Sequence, residues 1–148
     1  MERKNLFDDA VFRDLVARVK AVQSNDQRKW GTMTAGQMMA HCAEVIDVAN
    51  GKNLRGTPFI IRMIGGFIKK VVLNDKPYPQ GVRTHPQYVV EGDKDIEKQR
   101  QRLLASMEAL RENPADHFQH DLFGKMTREE VGWGMYKHLD HHLRQFGV

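Results

Sequence analysis

"TREEVGWGMYKHLDHHLRQF", Thr127 to Phe146, places a threonine three residues ahead of a glutamate and then runs to its end without a proline. That spacing is a capping box, in which each side chain satisfies an orphan amide of a helix start. Val131, Met135, Leu139, Leu143 and Phe146 follow at three- and four-residue steps, the period of a helix with one buried stripe. The stretch is therefore predicted to be one long amphipathic helix.

Working outward, Thr34 and Gln37 repeat the box ahead of "AGQMMAHCAEVIDVAN", predicting a second helix that stops near Asn50 and Gly51. Phe12, Leu15, Val16, Val19 and Val22 mark a first helix within residues 7–22. Asp93 is the expected cap of a helix with the stripe Ile96, Leu103, Leu104, Met107 and Leu110, ended by Asn113-Pro114. Thr57-Pro58 opens a shorter helix with the stripe Ile60, Ile64, Phe67, Ile68 and Val71. Basic residues opposite an apolar stripe are ordinary on soluble helices, so this stripe is expected to pack on the bundle rather than lie on a membrane. Residues 74–93 hold three of the five prolines and no helical period, which reads as a long loop. The expected fold is all-α: a four-helix bundle with an extra short helix and a long loop between helices two and three, in one domain over residues 1–148.

The 23 basic and 19 acidic side chains give a formal charge of +4, but they are interspersed along the chain. This argues against a nucleic-acid partner. The single Cys42 excludes an intrachain disulfide framework, and "MERKNLFDD" lacks the apolar core of a secretory signal, so a cytoplasmic location is expected. The most apolar run, Phe59 to Leu73, is short and carries Arg62, Lys69 and Lys70, so no membrane span is expected.

Three histidines, His138, His141 and His142, fall within five positions of the last helix. Histidines four apart lie one turn above each other and can reach one ion together. At about 100° per residue from His138, the apolar stripe spans about 20° to 140° and His142 lies at about 40°. His141 falls about 60° to the other side. His138 and His142 are thus expected to face the interior and His141 its rim. Two ligands hold a metal weakly, and His41, at the border of the arc of Met38, Cys42, Val45 and Ala49, offers a third from the second helix. Three neutral nitrogens leave a position for water or substrate, the catalytic arrangement for zinc. Spacing alone also allows histidines that merely favour the negative end of a helix dipole.

Glu44, three residues after His41, is a candidate general base or orienting acceptor, or else a solvated carboxylate. Asp140 is placed on the outer face of its helix. His117 and His120 form another H-x-x-H pair in what reads as a loop, and His85 lies where the long loop would line the site if it folded over the mouth. Cys42, rotated about 100° from His41, reads as a buried core thiol. Gly132 and Gly134 admit either close helix approach or room beside the site.

The stretches "MTAGQMMAH", Met33 to His41, and "HLDHHLRQ", His138 to Gln145, resemble the DinB-like superfamily, also called YfiT-like. The sequence from His120 onward looks like one branch of it, known only as a domain of unknown function. The resemblance implies a four-helix bundle whose long connection fits residues 51–92, and metal ligands at His41, His138 and His142. It implies a zinc or nickel ion, frequent dimers, and in some relatives transfer to low-molecular-weight thiols. Many relatives carry Arg-Gly-Gln after the last ligand, where this chain has Leu143-Arg144-Gln145.

The expectation is a divalent-metal-binding protein, with a homodimer among its possible states. Its reading as an enzyme is hydrolysis or thiol transfer on a small-molecule substrate, such as a low-molecular-weight thiol, at a three-histidine site. The alternative is a non-catalytic ligand-binding or dimerising scaffold whose metal is structural or absent.

Overall fold

A computed structural model describes residues 1–25 and 27–148. Its α-helices are α1 (Asp9–Ala21), α2 (Ala35–Ala49), α3 (Phe59–Met63), α4 (Gly65–Val72), α5 (Ile96–Glu112) and α6 (Arg128–Gln145). A 3-10 turn, Pro86–Tyr88, lies in the long connection, and two short strands, β1 (His117–His120) and β2 (Gly124–Thr127), pair antiparallel before α6. The expected all-α four-helix bundle is thereby corrected: the fold is mixed, mostly helical, with a small two-stranded sheet. The hairpin forms because Phe118 and Met126, opposite each other in its register, are both buried while the next pair, Gln119 and Lys125, faces out. Four residues per strand leave too little alternation to stand out in the sequence.

Both capping boxes are present. Thr34 Oγ1 accepts from Gln37 N and Gln37 Oε1 from Thr34 N, at 3.2 and 2.9 Å. Thr127 and Glu130 do the same at the head of α6. The cap of α5 is Asp95, which accepts from Lys98 N at 2.7 Å, and not Asp93. Asp93 instead bonds the amide of its neighbour Lys94.

α2 is buried on nearly every side and carries the centre of the core, with α5 along one flank and α6 along another. Arg100 of α5 donates to the carbonyls of Val19 and Val22, satisfying the end of α1. Asp140 is buried, not on the outer face: it pairs with Arg18 of α1 and with Arg144, each at 2.9 Å. The N-terminal segment explains Gly132, because Leu6 N donates to its carbonyl and a Cβ there would fall on the side chains of Asn5 and Phe7.

The predicted short helix is two, broken at Ile64, and its apolar stripe does not pack on the core. Ile60, Phe67 and Val71 are exposed. The reason is that α4 is held by its other face. A Cβ on Gly65 would overlap the Leu122 carbonyl in the β1–β2 turn. Lys69 donates to Lys125 O and pairs with Glu130, and Lys137 and Trp133 of α6 donate to the carbonyls of Val72 and Leu73. Among the described residues, no helix is long and apolar enough to cross a membrane.

Adjacent glycines test this seating. Gly65→Ala is expected to destabilise the protein by about 1–3 kcal/mol in urea unfolding, because the methyl group must displace backbone. Gly66, with open space beyond it, is expected to tolerate alanine or gain up to about 1 kcal/mol from it.

Candidate metal centre

The second and last helices bring three imidazoles to one point. Ligating atoms of His41, His138 and His142 all lie within 4.8 Å of one another. His41 is buried and the other two are half-buried. His41 Nε2 stands 3.1 Å from His138 Nε2. His142 completes the group, its ring 4.8 Å from that of His41 and 4.7 Å from that of His138.

Hydrogen bonds fix two tautomers. His41 Nδ1 lies 2.8 Å from the Tyr88 carbonyl oxygen, which can only accept, so Nδ1 carries the proton. His142 Nδ1 donates in the same way to Gln145 Oε1 at 3.0 Å, and the Gln145 amide is oriented by its Nε2, which donates to Trp30 O at 2.7 Å. Both residues therefore aim an Nε2 lone pair inward. His138 Nδ1 is buried with no hydrogen-bond partner. With His41 Nε2 a pure acceptor, His138 either donates its only proton there and leaves Nδ1 a bare acceptor, or it faces His41 lone pair to lone pair.

A tetrahedral ion with nitrogens at about 2.0–2.1 Å would set pairs of them about 3.3 Å apart, close to the His41–His138 separation. The donor set thus fits a divalent ion that accepts imidazole. Charge agrees with geometry: burial, reinforced by the neighbouring imidazoles, holds His138 well below the ordinary histidine range and pushes His142 down to about 3. Burial lowers His41 as well, against the Tyr88 bond, which raises it. All three are kept neutral, the form in which histidine ligates a metal.

His141 sits at the rim, its ring against Trp30 and Tyr78, and it lines a cleft with Trp30, Tyr78 and Lys137. His85 does not join the cluster: its Nδ1 accepts from Gln87 N and its Nε2–H donates to Thr57 Oγ1, which shapes the 3-10 turn ending at Tyr88. His117 and His120 do not act as a pair, since His117 is exposed while His120 accepts from the amides of Leu122 and Phe123 inside the hairpin. Cys42 is fully buried, and burial pushes its thiol up.

Glu44 accepts from Lys52, from Gln87 Nε2 at 3.0 Å and from Arg102 at 2.6 Å. These bonds tie α2 to α5 and to the segment that carries the Tyr88 carbonyl. Sequence reasoning missed Tyr88 and the part played by Gln145. Gln145 had a usable signal, three residues beyond His142 on one helix face. Tyr88 acts through its backbone, so its side-chain identity carries none.

Residues 3–147 match a family described as a protein of unknown function, DUF1569. The chain belongs to that family. No curated protein and no solved structure matches the chain.

Burial raises the Glu44 pKa, but its bonds to Lys52, Gln87 and Arg102 outweigh this and leave it lowered on balance. A depressed folded-state pKa contributes stability above the unfolded value and loses it as pH falls through the folded one. Glu44→Gln is therefore expected to cost about 1–3 kcal/mol at neutral pH. The difference from the unaltered protein should shrink towards zero in urea titrations carried to acid below the usual glutamate range.

Proposed function

We propose that the protein holds one divalent cation, zinc or nickel, on His41, His138 and His142, and that it is a metal-dependent enzyme of hydrolysis or thiol transfer. The observation that carries this reading is the close approach of His41 and His138 Nε2, with His142 completing the group within 4.8 Å. The Tyr88 and Gln145 bonds leave the His41 and His142 lone pairs facing inward, and a shared cation satisfies them where unpaired buried acceptors would be costly. When bound, such an ion supplies Lewis-acid activation of water or of a substrate thiol.

The chain's own groups do the remaining work. Tyr88 O and Gln145 Oε1 fix the tautomers of His41 and His142 with their inward nitrogens free of protons, and burial keeps all three imidazoles neutral. The cleft beside His141, bordered by Trp30 and Tyr78, is the natural approach for a small substrate. Kinship with the DinB-like superfamily belongs to the same proposal and rests on the two histidine-bearing motifs.

The first test is the metal content of protein purified without a histidine tag, by mass spectrometry. About one zinc or nickel per chain is expected, absent from His41→Ala and from His138→Ala. Protein that stays empty after incubation with either metal would overturn the reading. Chelation separates the two roles of the ion: a fold that survives metal removal supports catalysis, and one that collapses supports the structural scaffold.

A finer expectation concerns Gln145. Gln145→Ala leaves the three ligands in place but removes the acceptor that orients His142. Metal affinity, measured by competition with a chromogenic chelator, is expected to fall about 10- to 100-fold, with the circular dichroism unchanged.

A further inference from the structure

The outward side of α3 and α4 has no role in the metal centre and no partner in the fold. Phe59, Ile60, Met63 and Phe67 are 75, 72, 70 and 68 % exposed, and Ile64 and Val71 extend the same surface. Isolated exposed apolar residues are ordinary, but a contiguous set of large ones marks an interaction site. The surface is built rather than loose. Gly65 rests on the Leu122 carbonyl, Lys69 turns inward to Lys125 O and Glu130, and α6 holds the last turn of α4. The polar anchors lie beneath and the apolar side chains above, the reverse of an ordinary surface helix.

Charge identifies the partner. Residues 51–74 contain Lys52, Arg55, Arg62, Lys69 and Lys70 and no carboxylate. Lys52 and Lys69 are paired with Glu44 and Glu130. Arg62 and Lys70, exposed among the apolar residues, make no ion pair among the described residues. A second copy meeting this face symmetrically would bring four unpaired cations together with no acid from the segment to answer them, which is destabilising. A surface that offers phosphate to the cations and hydrocarbon to the rings satisfies both.

We propose that α3 and α4 dock the protein on an anionic lipid surface, the apolar side chains entering at headgroup level and Arg62 and Lys70 meeting lipid phosphates. The packing on the bundle that the stripe predicts does not occur, and its apolar side chains are free to meet a membrane. This inference is independent of the metal centre.

The test is co-sedimentation of the full chain with phosphatidylglycerol vesicles and with phosphatidylcholine vesicles, at low and high salt. One cation near an anionic surface strengthens partitioning about five-fold, so two give about a 25-fold preference for phosphatidylglycerol, weakened by salt. The Arg62→Gln/Lys70→Gln double variant is expected to lose the preference. The Met63→Ser/Phe67→Ser double variant is expected to lose binding to both vesicles, with unchanged circular dichroism and thermal midpoint because both residues are exposed. Protein that stays in the supernatant with phosphatidylglycerol overturns the proposal. So does a dimer, seen by light scattering, that Met63→Ser/Phe67→Ser dissociates, since the face would then belong to a second copy.

Discussion

One imidazole buried in α2 dictates much of the chain's path. α2 is covered on nearly all sides, and most of what it buries is small or apolar: alanines, methionines, Cys42 and Ile46. His41 is the exception. A buried ring nitrogen without a partner costs on the order of 1–3 kcal/mol, so something polar must come to it. The long connection after α2 does this by returning over the helix and presenting the Tyr88 carbonyl. His85 and Gln87 then secure that return, His85 through the Gln87 amide and Gln87 through Glu44. The loop is placed by the needs of a side chain in the core rather than by any pattern of its own.

α6 meets a comparable demand on three faces. His138 and His142 point towards α2. Asp140 is directed at Arg18 of α1, and Lys137 donates to Val72 O and Asn74 O at the end of α4. Lys137 is almost fully buried, and burial lowers its pKa, partly offset by Asp75. A periodicity argument assumes one wet face, and α6 has little of one. This is why Asp140 was expected outside and is found inside, while the histidines, on the true core side, were placed correctly.

The legible parts of the molecule were those encoded locally. Thr34 with Gln37 and Thr127 with Glu130 name their helix starts because the capping box is closed within four residues, and the three clustered histidines follow from the angular step of a helix. What was not legible depended on distant chain. Asp93 and Asp95 are equally good caps in isolation, and the path of the preceding loop decides between them. The β1–β2 hairpin is too short to declare its alternation, yet Phe118 and Met126 find burial together. The stripe from Ile60 to Val71 announced helical structure but neither its break at Ile64 nor its orientation, since nothing in a stripe says which side the rest of the protein will hold.

The hairpin that the sequence concealed is the piece that joins the two surfaces of interest. Its second strand ends at Thr127, which is also the cap of α6, so the strand sets the axial position of the helix that carries His138 and His142. Its turn supplies the Leu122 carbonyl on which Gly65 sits, and Lys125 O receives Lys69. From the other end, Trp133 and Lys137 reach from α6 to the final carbonyls of α4. The apolar ridge and the histidine cluster are therefore fixed to one helix: Trp133 and Lys137, which hold the end of α4, lie one turn apart along it, and His138 directly follows Lys137. A load on the ridge is carried into α6 next to His138. Because packed interiors yield little, the geometry of the three imidazoles and the seating of α4 share the same supports, and neither can shift far without the other.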